Sequence, residues 1–198
     1  MIENLAALLF AAFALMGSPG PATLSTAAAG AAFGFRRGIS YASGIMLGTA
    51  SVLVVIASGV TGALLVMPSV RIVLIAAASA YILYLAFRIA TAPPVEAAAS
   101  TAKAPGFVPA YLLAIANPKA YAAIGAVYSG FDLLAGATLP NALSKLAVLG
   151  GVIVAVNLTW LVLGASISSL FRSARWSRVI NVAFAVMLVL SVMAVVFL

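Results

Sequence analysis

Two short motifs hold the residues of this sequence best able to do chemistry: Gly17-Ser18-Pro19-Gly20-Pro21 and Asn117-Pro118-Lys119. Proline removes an amide donor and stops a helix, while a serine or asparagine just ahead of it can cap a new one. Ser18 with Pro19, and Asn117 with Pro118, are therefore each expected to start a fresh half-helix. Such a start offers free amide donors and a positive dipole end, which suits an anion such as a carboxylate. Lys119 adds a full charge beside one start. Thr23 follows the first break by a few residues, and Asn157 places a carboxamide in a later apolar run. The candidate substrate-binding set is Pro19, Gly20, Pro21, Thr23, Asn117, Pro118, Lys119 and Asn157, with no catalytic or metal-binding residue.

Other chemistries are poorly supplied. Cysteine and histidine are both absent, which removes disulfides, thiolate nucleophiles, imidazole relays and the usual zinc or haem ligands. No cofactor is expected. A Ser25–Lys119 pair would be the nearest approach to an intramembrane catalytic dyad, but no third group orients it.

The elements that hold these residues follow from composition. With 66% hydrophobic and 7% charged residues, and a mean hydropathy of +1.27, the chain lacks the roughly one-quarter charged residues a soluble surface needs. Its partner is the lipid bilayer. The net charge of +7 does not form a stripe that would bind nucleic acid. A length of 198 residues leaves room for about six spans of about 20 residues each. They are read at about 5–33, 39–66, 70–89, 107–128, 143–167 and 179–198, with a short turn at 34–38. Residues 92–105, rich in proline and polar side chains, form a linker. The fold class is all-α: a polytopic membrane protein built as two three-helix repeats, residues 1–91 and 106–198, with the first and fourth helices broken.

Lysine and arginine concentrate in the connections after spans one, three and five, at Arg36, Arg37, Arg88, Lys103, Arg172, Arg175 and Arg178. Those connections are placed in the cytoplasm, and both termini outside. No cleavable signal peptide is read at the start. An odd number of spans per repeat inverts the second copy, an arrangement typical of transporters with a midplane site. Backbone breaks in lipid are tolerated only where protein or a hydrated cavity satisfies them, so the two breaks mark where that cavity should lie. Against this stand kinks made only for packing, and a lysine that merely snorkels to the interface.

Among the remaining polar residues, Thr23, Ser25 and Thr26 either line the site or bond their own helix, and Asn157 bonds either another helix or substrate. Gly44, Gly48 and Gly59 are read as close-packing residues. Trp160 and Trp176 are read as packing or interfacial anchors, and Asp132 as a solvated residue near the outer end of span four.

These motifs resemble the lysine exporter (LysE/RhtB-type) family of bacterial amino acid efflux permeases. The resemblance rests on "GSPGPATL", "GFRRGISYASGIMLG", "AYILYLAFR" and "GFVPAYLLAIANPKA", and runs nearly the whole chain. It implies export of amino acids or close derivatives across the cytoplasmic membrane, with both breaks near the pathway. Ala22 stands where many members have asparagine, and Thr49 where several carry an acid. Glu3, Glu96 and Asp132 all lie away from mid-membrane in this span assignment, so a neutral zwitterion is the expected cargo and a dicationic one is not. The alternative is a membrane subunit that assembles without transporting. Coupling ion and oligomeric state are left open.

Overall fold

The computed structural model describes residues 2–59, 106–134, 136 and 138–166, with single positions at 76, 80, 83, 87, 90–91, 178–179, 182–183, 185–186, 189–190 and 193. Every regular element among them is helical. The linker at 92–105 lies outside the described residues, as does most of the third and sixth spans.

The first break separates α1 (Ile2–Gly17) from α2 (Pro21–Ala57), and the second separates α3 (Phe107–Ile115) from α4 (Pro118–Gly130). The fifth helix, α5, covers Thr138–Ser166. It begins before the expected Leu143, because Pro140 falls in the first turn, where a missing amide costs no bond.

The turn expected at 34–38 contracts to one residue. Gly34 takes φ 73° and ψ 170°, and helical geometry resumes at once, so α2 is a bent rod with arms on either side. Only glycine reaches that region without strain. Beyond the bend the second arm ends at Ala57, and residues 60–66 of the expected span lie outside the described residues. Gly59, with φ 76°, follows the Ser58 cap, and no described residue lies against its Cβ position. Its positive φ suits helix termination, and the close packing read from the sequence has no partner among the described residues.

Gly44 and Gly48 do pack closely. A Cβ at Gly44 would lie 2.3 Å from the Phe107 carbonyl, and one at Gly48 2.7 Å from the Tyr111 carbonyl, so the second arm of α2 meets α3 almost backbone to backbone. The first arm meets α5 in the same way, with Gly30 against the Leu161 carbonyl and Gly164 against the Ala27 carbonyl. Without a solvent-driven hydrophobic force between helices in lipid, such small-residue seams supply the dispersion contact that holds a bundle together.

The main apolar cluster gathers Leu8 and Ala12 of α1, Val52 and Leu53 of α2, Ile124 and Val127 of α4, and Leu149 and Ile153 of α5. Large apolar side chains also face outward: Phe10 is 79% exposed, and Val54, Leu112 and Leu139 are exposed as well. Such a surface suits lipid. The α2 and α5 helices are long and apolar enough to cross a bilayer.

The start of α1 and the α4–α5 connection lie together. The Asn4 amide donates to the Asp132 carbonyl at 2.8 Å. Beside it Lys145 is buried within α5. Its ammonium donates to the Tyr128 carbonyl at 2.8 Å, the Phe131 carbonyl at 3.2 Å and Asp132 Oδ1 at 3.3 Å. It thereby caps the end of α4 from a neighbouring helix. Asp132 is solvated, as expected, yet ordered by this lysine and by the Asn141 amide at 2.6 Å. The Asn141 hydrogen bond, then Lys145, hold its carboxyl below the usual carboxylate range.

Candidate functional site

Local sequence explains why the two breaks differ in form. At the second, α3 ends at Ile115 and α4 begins at Pro118, with Asn117 as the cap: its Oδ1 accepts from the Lys119 amide at 3.2 Å. The Ala120 amide bonds the Asn117 carbonyl at 3.0 Å. With proline at the first position, this helix start is closed by its own residues.

The first break follows another course and corrects the expectation for Ser18. The cap of α2 is Gly20, in extended conformation, and Pro21 is the first helical residue. The Ser18 hydroxyl turns back to the Leu15 carbonyl at 2.8 Å and caps nothing ahead of it. Thr23 takes up part of the work, its Oγ1 accepting from the Gly20 amide at 2.9 Å. The first helical bond runs from the Leu24 amide to the Gly20 carbonyl at 2.8 Å. The buried amides of Ala22 and Thr23 precede that bond and find no acceptor among the described residues.

The carbonyls released at the end of α1 are met by side chains from other helices. Trp160 Nε1 of α5 donates to the Gly17 carbonyl at 3.0 Å, and the Lys119 ammonium of α4 donates to the Ser18 carbonyl. Sequence reasoning read Trp160 as an anchor and missed this bond. Its only signal was an indole N–H in an apolar span, where such a donor needs a partner. The Lys119 bond brings the two breaks into contact. The lysine stem crosses Gly20 so closely that a Cβ there would lie 2.5 Å from Lys119 Cδ.

Between the breaks lies a cavity of about 40 Å³ whose walls include Gly20, Ala22, Thr23, Thr49, Asn117, Lys119 and Asn157, closed on the apolar side by Met16, Ala123, Ile124, Ile153 and Val156. At about 10–15 Å³ per water-sized sphere it accommodates a few waters and not an amino acid. Five of the expected site residues, Gly20, Thr23, Asn117, Lys119 and Asn157, are therefore brought together. Pro19 is exposed, Pro21 and Pro118 lie behind the wall as the first residues of their helices, and none of the three lines the cavity. Thr49, noted in the sequence only as a departure from an acid, does line it. Ser25 and Thr26 do not: both hydroxyls donate to the Ala22 carbonyl, at 2.9 and 2.8 Å. No Ser25–Lys119 dyad is formed.

Asn157 is held by its own helix, Nδ2 donating to the Ile153 carbonyl at 2.9 Å, with Thr26 Oγ1 at 3.5 Å from its Oδ1. Asn117 is buried; its backbone amide bonds the Ala114 carbonyl at 3.3 Å, but its side-chain Nδ2 has no acceptor among the described residues. The cavity thus joins unpaired donors at the start of α2 to a lysine, with no acidic residue among the described residues of its lining.

The family model of the LysE type translocators matches residues 5–198. This chain belongs to the LysE type translocator family. Membership makes it a membrane transporter of amino acids or related compounds. No curated protein and no solved structure matches the chain significantly. The LysE-type match spans both breaks, so the cavity between them belongs to the part of the chain that the family shares.

Proposed function

We propose that the protein exports neutral amino acids, or close derivatives, by alternating access around the cavity between the two breaks. The observation that carries this reading is the contact of Lys119, from the second break, with the Ser18 carbonyl of the first. Separate packing kinks would have no reason to meet across a cavity that gathers Thr23, Thr49, Asn117, Lys119 and Asn157. The substrate carboxylate is assigned to the amides of Ala22 and Thr23, the Asn117 side-chain amide and Lys119; its ammonium is assigned to the carbonyl end of α1. Pro19, Pro21 and Pro118 shape the breaks without touching substrate. The absence of an acid among the described residues of the lining favours a zwitterion over a dication, whose second charge would lack a partner there.

The architecture we assign is six spans in two inverted repeats, residues 1–91 and 106–198, in the cytoplasmic membrane with both termini outside. Two features support it: a broken helix opens each described half, and Asn4 meets Asp132 on one side of the bundle, as four intervening crossings require. Because the cavity is too small for cargo, the described state is closed, and transport requires one group of helices to rock against the other.

Flux of neutral, basic and acidic amino acids in proteoliposomes tests the reading. Neutral amino acids should move and Lys119→Met should abolish the movement; robust flux confined to lysine would refute the neutral preference.

A further inference from the structure

The Lys119 side chain has an unusual place for a residue expected to hold a carboxylate. Its ammonium is spent on the Ser18 carbonyl, at the negative end of the α1 dipole, where the amino group of a zwitterion would sit. Its stem fills the space over Gly20, the one residue there that leaves room for it. Meanwhile the buried donors of Ala22, Thr23 and the Asn117 side chain have no acceptor among the described residues. One half of a zwitterion's site is therefore filled by the protein itself, and the other half is a set of donors that no described side chain or carbonyl satisfies.

Resting on the reading of this cavity as the amino acid site, we infer that the Lys119 ammonium stands in for the substrate's own amino group, locking the breaks together until a free amino acid replaces it. Moving Lys119 off Ser18 without compensation would strand a charge within the membrane. A molecule carrying both groups avoids this: its carboxylate becomes the new partner of Lys119 and meets the waiting amides, while its ammonium takes the Ser18 carbonyl. The one charge-assisted bond that is lost is replaced by the lysine–carboxylate pair and by the ammonium–carbonyl bond. An N-acylated acid cannot occupy the carbonyl, and an amino acid amide cannot draw the lysine away. The ligand class is thus the free amino acid with both termini unblocked.

The chain has no cysteine, so a single reporter can be read against a silent background. Ala123→Cys places it on the apolar wall of the cavity. In proteoliposomes without amino acid, the closed protein should react slowly with N-ethylmaleimide. Lys119→Ala should raise that rate at least about tenfold, the scale of losing a hydrogen bond to a charged group. Added n-propylammonium, which replaces the deleted stem and charge, should return the rate toward its starting value, whereas n-propanol should not. Gly20→Ala keeps the lysine but evicts it, and should raise the rate as well, so the test survives if one variant fails to insert. An unchanged rate in correctly inserted variants, or equal effects of propylammonium and propanol, would overturn the lock. Parallel flux assays separate the two ideas: an N-acetyl amino acid carried as fast as its free form overturns the exchange. Rescue by propylammonium with no flux of any amino acid overturns the transport reading beneath it.

Discussion

The two breaks look like copies in the sequence and differ in the folded chain. The second is self-sufficient: Asn117 caps its own helix, the following amides are bonded, and Lys119 is free to reach outward. The first closes itself only in part. Glycine supplies no capping side chain at its helix start; Thr23 Oγ1 accepts from the Gly20 amide and lies 3.3 Å from the Ser18 carbonyl, but the Gly17 carbonyl depends on Trp160 and the Ser18 carbonyl also takes Lys119, both from other helices. Divergence of this kind assigns separate tasks: one break provides backbone groups and the other provides the side chain that engages them. A break that relies on distant partners can change partners, whereas one that is internally capped stays rigid.

Substitutions should expose this asymmetry, and the largest effect falls on the residue that joins the two. Lys119→Met should reduce amino acid flux to background while the protein still inserts; flux at the normal level would show that the contact between the breaks is incidental. Next in size is Trp160→Phe, which leaves the Gly17 carbonyl without its donor and should cost about 1–3 kcal/mol, seen as a lower melting temperature in detergent. Asn117→Ala removes a working cap and should cost about 1 kcal/mol, with recovery in Asn117→Ser. Ser18→Ala, at the matching position of the first break, should change stability by less than about 0.5 kcal/mol. Equal losses at Ser18 and Asn117 would restore the symmetry that the structure denies.

The smallest effect lies outside the breaks. The Asp132 carboxyl is held below its ordinary range by Asn141 and then Lys145, so its contribution is present above the unfolded carboxylate pKa and fades as pH falls through the lowered folded value. Because this carboxylate is largely exposed, the acid-side loss of melting temperature should be slight, and Asp132→Asn should flatten it.

Much of this was legible in the residue order, for physical reasons that also explain the failures. Proline marks a helix interruption wherever it falls deep in an apolar run, so both breaks could be located, and Asn117 behaves as its type and position suggest. Ser18 does not, because the extended Gly20 moves the next helix start two residues on, and local rules cannot choose between Pro19 and Pro21 as its first residue. The hydrogen bonds of Trp160 and Lys145 were not legible because their partners are carbonyls on other helices, and no local pattern records which distant backbone groups lack a bond. Gly34 was recognised as part of a turn, but the sharpness of a one-residue reversal depends on dihedral angles that glycine permits and does not dictate. The cavity was expected from the breaks; its small size was not, because it follows from the path of the lysine stem.

The bend at Gly34 carries a mechanical implication. Its leading arm is seamed to α5 through Gly30 and Gly164, while its trailing arm is seamed to α3 through Gly44 and Gly48. Close seams resist sliding, whereas rotation about one glycine meets little resistance. The longest helix among the described residues is thereby fastened by each arm to a different neighbour, and the angle at one glycine sets how those two seams are oriented.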